Sequence, residues 1–282
     1  MSGNGERGGM GNPALVDPGT VRRTAAEAWS WGHPLLEGYR LLYPEVLDEA
    51  DPGYVGGFGR FGRHRAEGGG YARAWLDLRT EPWVLELPAA GPGVSATVQE
   101  LDSSLIGTLT CGARPVRYLI AGARHDAAPY DAAEYDGAGS DGVPYGDEPY
   151  EGVLRADGRL VRVTVRAEEP CEGGVLLLPL SAHHGEPPAA APEPVWPVWR
   201  DELLTGPDYF VLLDFLLGFL PLPADPAARP AERDLRRRLA ELGIGAGDFE
   251  PAVLPVELRE EMLAGIREGR PSAAAPSGRS AV

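Results

Sequence analysis

The sequence predicts an α+β fold, an antiparallel β-sheet or sandwich core with one N-terminal helix and a C-terminal helical cap. Three observations predict it. Short runs of alternating character follow one another through the middle of the chain with no helical segments between them, which favours antiparallel pairing. A helical apolar stripe precedes them, with Ala25, Ala28, Trp29, Leu35, Leu36, Tyr39 and Leu42 on it. A second one follows, Tyr209, Leu212, Leu213, Leu216, Leu217 and Leu220.

The first helix is expected from Thr20 to Tyr43, kinked at Gly32-His33-Pro34 and stopped by Pro44. A Gly-rich connection then spans 51–70. Strands are expected at Tyr71–Leu78, Trp83–Leu87, Val94–Leu101, Val116–Ala121, Leu160–Arg166 and Val175–Leu180. In the fifth of these, Arg162, Thr164 and Arg166 alternate with Val161, Val163 and Val165, the pattern of a strand with one polar face. After the Pro-rich stretch 187–197, helices are expected at Asp208–Leu220, Pro230–Leu242 and Pro255–Glu268, the second closed by Gly243. The domain is expected to run from 20 to 269, with disordered tails at 1–19 and 270–282.

Composition excludes several chemistries. The 282 residues carry a formal net charge of -16, which disfavours nucleic acid and anionic lipid as partners. Every one of the 26 basic residues is Arg, so no side-chain amine is present for Schiff-base, pyridoxal phosphate or P-loop chemistry. Asn occurs only at Asn4 and Asn12, so a Cys-His-Asn triad has no Asn in the folded region. Cys111 and Cys171 form no CxxC motif and are expected to be buried thiols. The first 19 residues contain no apolar run, and Asp214 and Gly218 interrupt the longest apolar stretch. A cytoplasmic protein without membrane contact is the expectation.

Motif by motif, few sites emerge. Gly57-Phe58-Gly59-Arg60-Phe61-Gly62 fits G-x-G-x-x-G, but without a flanking βαβ unit it reads as a flexible loop. Gly243–Gly247 reads as a helix stop. Between Asp126 and Glu151 lie eight carboxylates, no Arg and four tyrosines; an acidic loop is expected there, its spacing unlike a calcium-binding EF-hand loop. Arg60, Arg63, His64, Arg65 and Arg73 form a basic cluster. It either grips an oxyanion or pairs with local acids such as Glu67, Asp48 or Glu49, and pairing is the commoner outcome. No His pair has metal-ligand spacing, and no metal or cofactor is expected.

The strand starting at Tyr71 carries the best candidate surface. Period-two alternation puts Tyr71, Arg73, Trp75 and Asp77 on one face and Ala72, Ala74, Leu76 and Leu78 on the other. Ser95, Thr97 and Gln99 form a comparable polar face, with Asp102 close behind. Under an enzyme reading, Arg73 orients a polar or anionic small molecule, Tyr71, Trp75 and Gln99 contact it, and Asp102 or His33 moves protons. His33 has Glu37 four residues on to orient its ring. The alternatives are a non-catalytic binding protein with a degenerate pocket, and a structural partner docking through the acidic loop.

Three stretches resemble one known family: AEAWSWGHPLLEGYRLLYP; YARAWLDLRTEPWVLELP followed by TVQELD; and PDYFVLLDFLLGF with LAELGIGAGDFEPAVLPVELREEMLAGI. They look like the domain of unknown function family 1254, in its order and spacing. The family's Asn-x-Asp-Thr-x-Tyr element is replaced here by Ala66-Glu67-Gly68-Gly69-Gly70-Tyr71, and its Tyr after the helix Gly is His33. The resemblance implies the fold, and a lone domain without the family 1214 domain that follows it in many relatives.

Overall fold

The computed structural model describes residues 16–66, 69–89, 94–122, 144–145, 148–167, 174–188, 192–223, 225 and 227–270. Residues 1–15 and 271–282 of the expected tails, Cys171 and most of the acidic stretch 126–151 lie outside them, whereas residues 18 and 19, expected in the N-terminal tail, open a helix. The chain divides into two compact units. The described residues of one are 16–36, 199–218, 225 and 227–270; those of the other fall within 37–198 and 219–223. An N-terminal helix, mostly antiparallel sheets and C-terminal helices make this an α+β fold.

Helix α1 spans Pro18–Val46 and contributes residues to both units. It runs through Pro34 and past Pro44, where a stop is expected from sequence. Each proline removes only one backbone bond, and burial of Leu35, Leu36, Tyr39 and Leu42 outweighs that loss.

The strand-rich unit holds β1 (Gly62–Ala66), β2 (Gly69–Asp77), β3 (Trp83–Leu87), β4 (Val94–Glu100), β5 (Leu105–Thr110) and β6 (Val116–Ala121). After the two-residue strands β7 (Pro144–Tyr145) and β8 (Glu148–Pro149) come β9 (Gly152–Arg155), β10 (Leu160–Ala167), β11 (Leu176–Pro179) and the one-turn helix α2 (Leu180–His183). One sheet has the order β1-β2-β10-β4-β5 and the other β11-β3-β6-β9. All pairings in both are antiparallel except β6 with β9, which is parallel. Side chains from both sheets, among them Ala74, Leu76, Val98, Val163, Leu85, Leu87 and Ile120, share one core, so the unit is a β-sandwich. Strand β1 occupies part of the expected Gly-rich loop. His183 ends α2, its ring edge-on to His184.

Residues 192–198 have no regular structure yet are held in place. The Trp196 ring stacks on Phe219 at 5.3 Å and meets Phe58 at 5.7 Å. Arg79 donates to the Pro192 carbonyl, and the Tyr39 hydroxyl donates to that of Pro197 at 2.6 Å.

In the helical unit, α3 (Asp208–Leu217), α4 (Pro230–Glu241) and α5 (Val256–Gly269) accompany the first part of α1. Gly32 is required: a Cβ there would sit 2.7 Å from the Tyr209 hydroxyl, which bonds the carbonyls of Ala28 and Trp29. The buried Asp214 carboxylate accepts backbone N–H groups from Gly245, Gly247 and Phe249. Gly245 and Gly247 take φ of 116° and 87°, which turns their amides inward. The glycine-rich stop after α4 is thus a nest filled by the protein's own carboxylate.

Candidate functional site

Strand β2 is extended, as its alternation requires. Ala74 and Leu76 face the sandwich core, while Tyr71, Arg73 and Trp75 lie on the other face. Register extends that polar face across the sheet: Arg162 stands opposite Trp75 and Gln99, Thr164 opposite Arg73 and Thr97, and Arg166 opposite Tyr71 and Ser95. His64 of β1 pairs with Tyr71.

The last turns of α1 reach this face. Gly38 permits contact with the Leu101 carbonyl, with which any Cβ would collide. At the penultimate position of the helix, the buried carboxylate of Glu45 gathers three side chains. Arg73 binds it through Nε at 3.0 Å and through Nη2; the Trp75 indole N–H donates to it at 3.0 Å; and His64 Nε2 lies 3.4 Å away. The fork from Arg73 is bidentate, the strongest form of this pair. Tyr71 stacks on the His64 ring at 4.9 Å, and the Arg73 guanidinium lies 5.9 Å from the Tyr71 centroid.

Arg162 lies 5.6 Å over the Trp75 ring, which is itself buried. Its Nη2 donates to Gln99 Oε1 at 2.8 Å and to Ser103 Oγ at 3.2 Å, while its Nε is buried without a hydrogen-bond partner. Burial, and after it repulsion from Arg73, lowers the Arg162 pKa, against attraction from Glu45 and Tyr71. Two guanidiniums and an imidazole therefore gather around Glu45.

The six residues singled out from sequence separate as follows. Tyr71, Arg73, Trp75 and Gln99 come together on this face. Asp102 sits in the exposed turn after β4, where it accepts the Ser104 amide and hydroxyl at 2.9 and 2.6 Å. His33 belongs to the helical unit, stacked on Trp29 at 4.4 Å, its Nδ1 buried without a partner; Glu37 pairs instead with Arg40. The basic cluster is partly paired, as expected, but its acid is Glu45. Glu45 was hidden in the sequence because a helix stop is expected at Pro44, one residue before it. Arg162 reads from sequence as merely solvated, although β10 repeats the polar alternation of β2. The G-x-G-x-x-G stretch leads into β1, not a helix, so it lacks a dinucleotide-binding context. Among the described residues, no three His, Cys, Asp or Glu side chains cluster as metal ligands, and no helix is long and apolar enough to cross a membrane.

This architecture defines the class, an α+β protein built on a β-sandwich. Residues 70–168, from β2 to the end of β10, which include the strands that carry the site, match the family described as Protein of unknown function (DUF1254). The fold is similar to the crystal structure of the VPA0106 protein from Vibrio parahaemolyticus, with a TM-score of 0.59 and 14% identity. That match covers 90% of this chain and 57% of the other, so the chain spans little more than half the length of that structure. No curated protein matches the sequence.

Proposed function

We propose that the protein binds a small polar organic anion on the polar face of the five-stranded sheet, with Arg162 as the anchor. The carrying observation is charge: Arg73 and Arg162 both lie near the Glu45 carboxylate, and Arg73 takes its hydrogen bonds while Arg162 bonds Gln99 and Ser103. Arg73 is spent on Glu45 and forms a fixed wall. Arg162 is held by neutral groups, Gln99 and Ser103, and its guanidinium is the one offered to a ligand. Tyr71 and the hydroxyl-bearing Thr164 border it on the same face. His64 beside Glu45 is the group placed to handle a proton, the arrangement that favours acid/base turnover over passive binding. A cytoplasmic location fits a chain with two cysteines and no disulfide framework.

A thermal-shift panel of benzoate, succinate, citrate and glucuronate tests the reading. At least one acid should raise the wild-type midpoint saturably, by roughly 2–4 °C. Arg162→Ala should abolish the response, and Arg114→Ala, at a remote exposed pair, should keep it. An equal response in Arg162→Ala, or none in wild type, overturns the assignment.

A further inference from the structure

Two arginines share the polar face, and they are braced differently. Arg73 is held by a carboxylate, Glu45, through both arms of a guanidinium fork. Arg162 is held by an amide and a hydroxyl: Gln99 Oε1 accepts its Nη2 at 2.8 Å, and Ser103 Oγ accepts the same nitrogen at 3.2 Å. The backbone of the next turn dictates that difference. Ser103 takes a left-handed φ of 71°, a conformation that a residue with a Cβ adopts at a cost. It is locked there: the Ser103 amide donates to the Glu100 carbonyl and the Glu100 amide to the Ser104 carbonyl, both at 2.9 Å. So held, the Ser103 carbonyl accepts Gln99 Nε2 at 3.0 Å. A carbonyl can only accept, so it requires the amide nitrogen on its side and leaves Oε1 for Arg162. A glutamate at 99 would set a carboxylate oxygen against that carbonyl. The turn therefore selects the neutral side chain.

We propose that Gln99 is the specificity-determining residue of this site, and that the ligand it admits is a singly charged carboxylate. The inference rests on the anion-binding reading and deepens it. Glu45 cancels Arg73, Asp77 cancels Arg79, and His64 adds charge only when protonated. Arg166 is exposed and stands four residues further along β10, roughly 13 Å away. Among the described residues of this face, Arg162 is thus the surplus guanidinium beside Trp75, and one carboxylate matches its fork. A second carboxylate on the ligand would lose water without gaining a partner, on a protein whose formal net charge is -16. Gln99 preserves the surplus. A carboxylate in its place would fill Arg162 from within, as Glu45 fills Arg73.

Isothermal calorimetry on the whole chain, at fixed ionic strength, compares paired acids: benzoate against isophthalate, and butyrate against succinate. Each monoanion should bind wild type at least about fivefold more tightly than its dianion. Gln99→Glu should weaken benzoate binding by at least about a hundredfold, since like charges set side by side are strongly unfavourable. Gln99→Met removes the brace without adding charge and should weaken it only about three- to tenfold. Dianions that bind wild type as well as their partners overturn the charge assignment. Wild-type benzoate affinity in Gln99→Glu overturns the role of Gln99. So does a Gln99→Met protein that no longer binds benzoate, an outcome that counts even where Gln99→Glu loses the wild-type far-UV CD spectrum. The anion-binding reading fails separately, if no acid binds wild type at all.

Discussion

Glu45 and Asp214 are both buried carboxylates that collect three N–H-bearing groups, yet they differ in where those groups come from. Around Asp214 the donors are backbone amides of a glycine-rich loop, fixed by φ angles that glycine adopts without strain. Around Glu45 they are side chains from two strands, each with rotamers of its own. A nest of amides can do little except hold its anion. A ring of side chains can be retuned by substitution, protonation or a neighbouring ligand, which is why the second region is the functional candidate and the first is a structural one.

The comparison is broken most severely at Asp214. Asp214→Ala leaves three inward amides unpaired and should cost roughly 3–5 kcal/mol in urea unfolding, because each orphaned buried donor costs about 1–3 kcal/mol. A loss below about 1 kcal/mol would show that the loop rearranges and that the two regions are alike. Glu45→Gln strands the half-buried Arg73 guanidinium and should cost about 3 kcal/mol. The double variant with Arg73→Met should recover part of that loss, which a double-mutant cycle reads directly. Recovery is expected here and has no counterpart at Asp214, whose donors cannot be mutated away.

Glu100 sharpens the contrast through pH. Its folded pKa of about 7 lies above its ordinary 4.5, so the fold favours the protonated acid. The stabilisation is complete below pH 4.5 and is lost as pH rises to about 7, by roughly 2–3 kcal/mol. Glu100→Gln should flatten that part of the stability profile in denaturant titrations. At the small end, Arg114→Ala removes a pair whose side chains are 77% and 47% exposed, and should change stability by less than about 0.5 kcal/mol.

Strands β2 and β10 were legible because each sets aliphatic and polar side chains on opposite faces, so alternation alone gives their orientation. Strand β5 was not: Leu105-Ile106-Gly107-Thr108 has no clean period of two, and as an edge strand it leaves Leu105 largely exposed. Strand β9 has only four residues, and β1 lies among glycines that read as loop. Half the candidate site followed from β2, since Tyr71, Arg73 and Trp75 share a face wherever the strand goes. Its acid did not. Glu45 reaches Arg73 across 28 residues of chain, and no local period encodes such a contact. Register supplied the rest, bringing Arg162 between Trp75 and Gln99.

The irregular segment at 192–198 illustrates how order arises without a backbone ladder. Trp196 is wedged between Phe58 and Phe219, and carbonyls on either side are captured by Arg79 and Tyr39. A protease must draw several consecutive residues into its cleft, and here each escape route requires an aromatic ring to leave its stack. Although rich in proline and devoid of helix or strand, this stretch should resist nicking in the folded protein, and cleavage there would report that the Trp196 wedge had been pulled out.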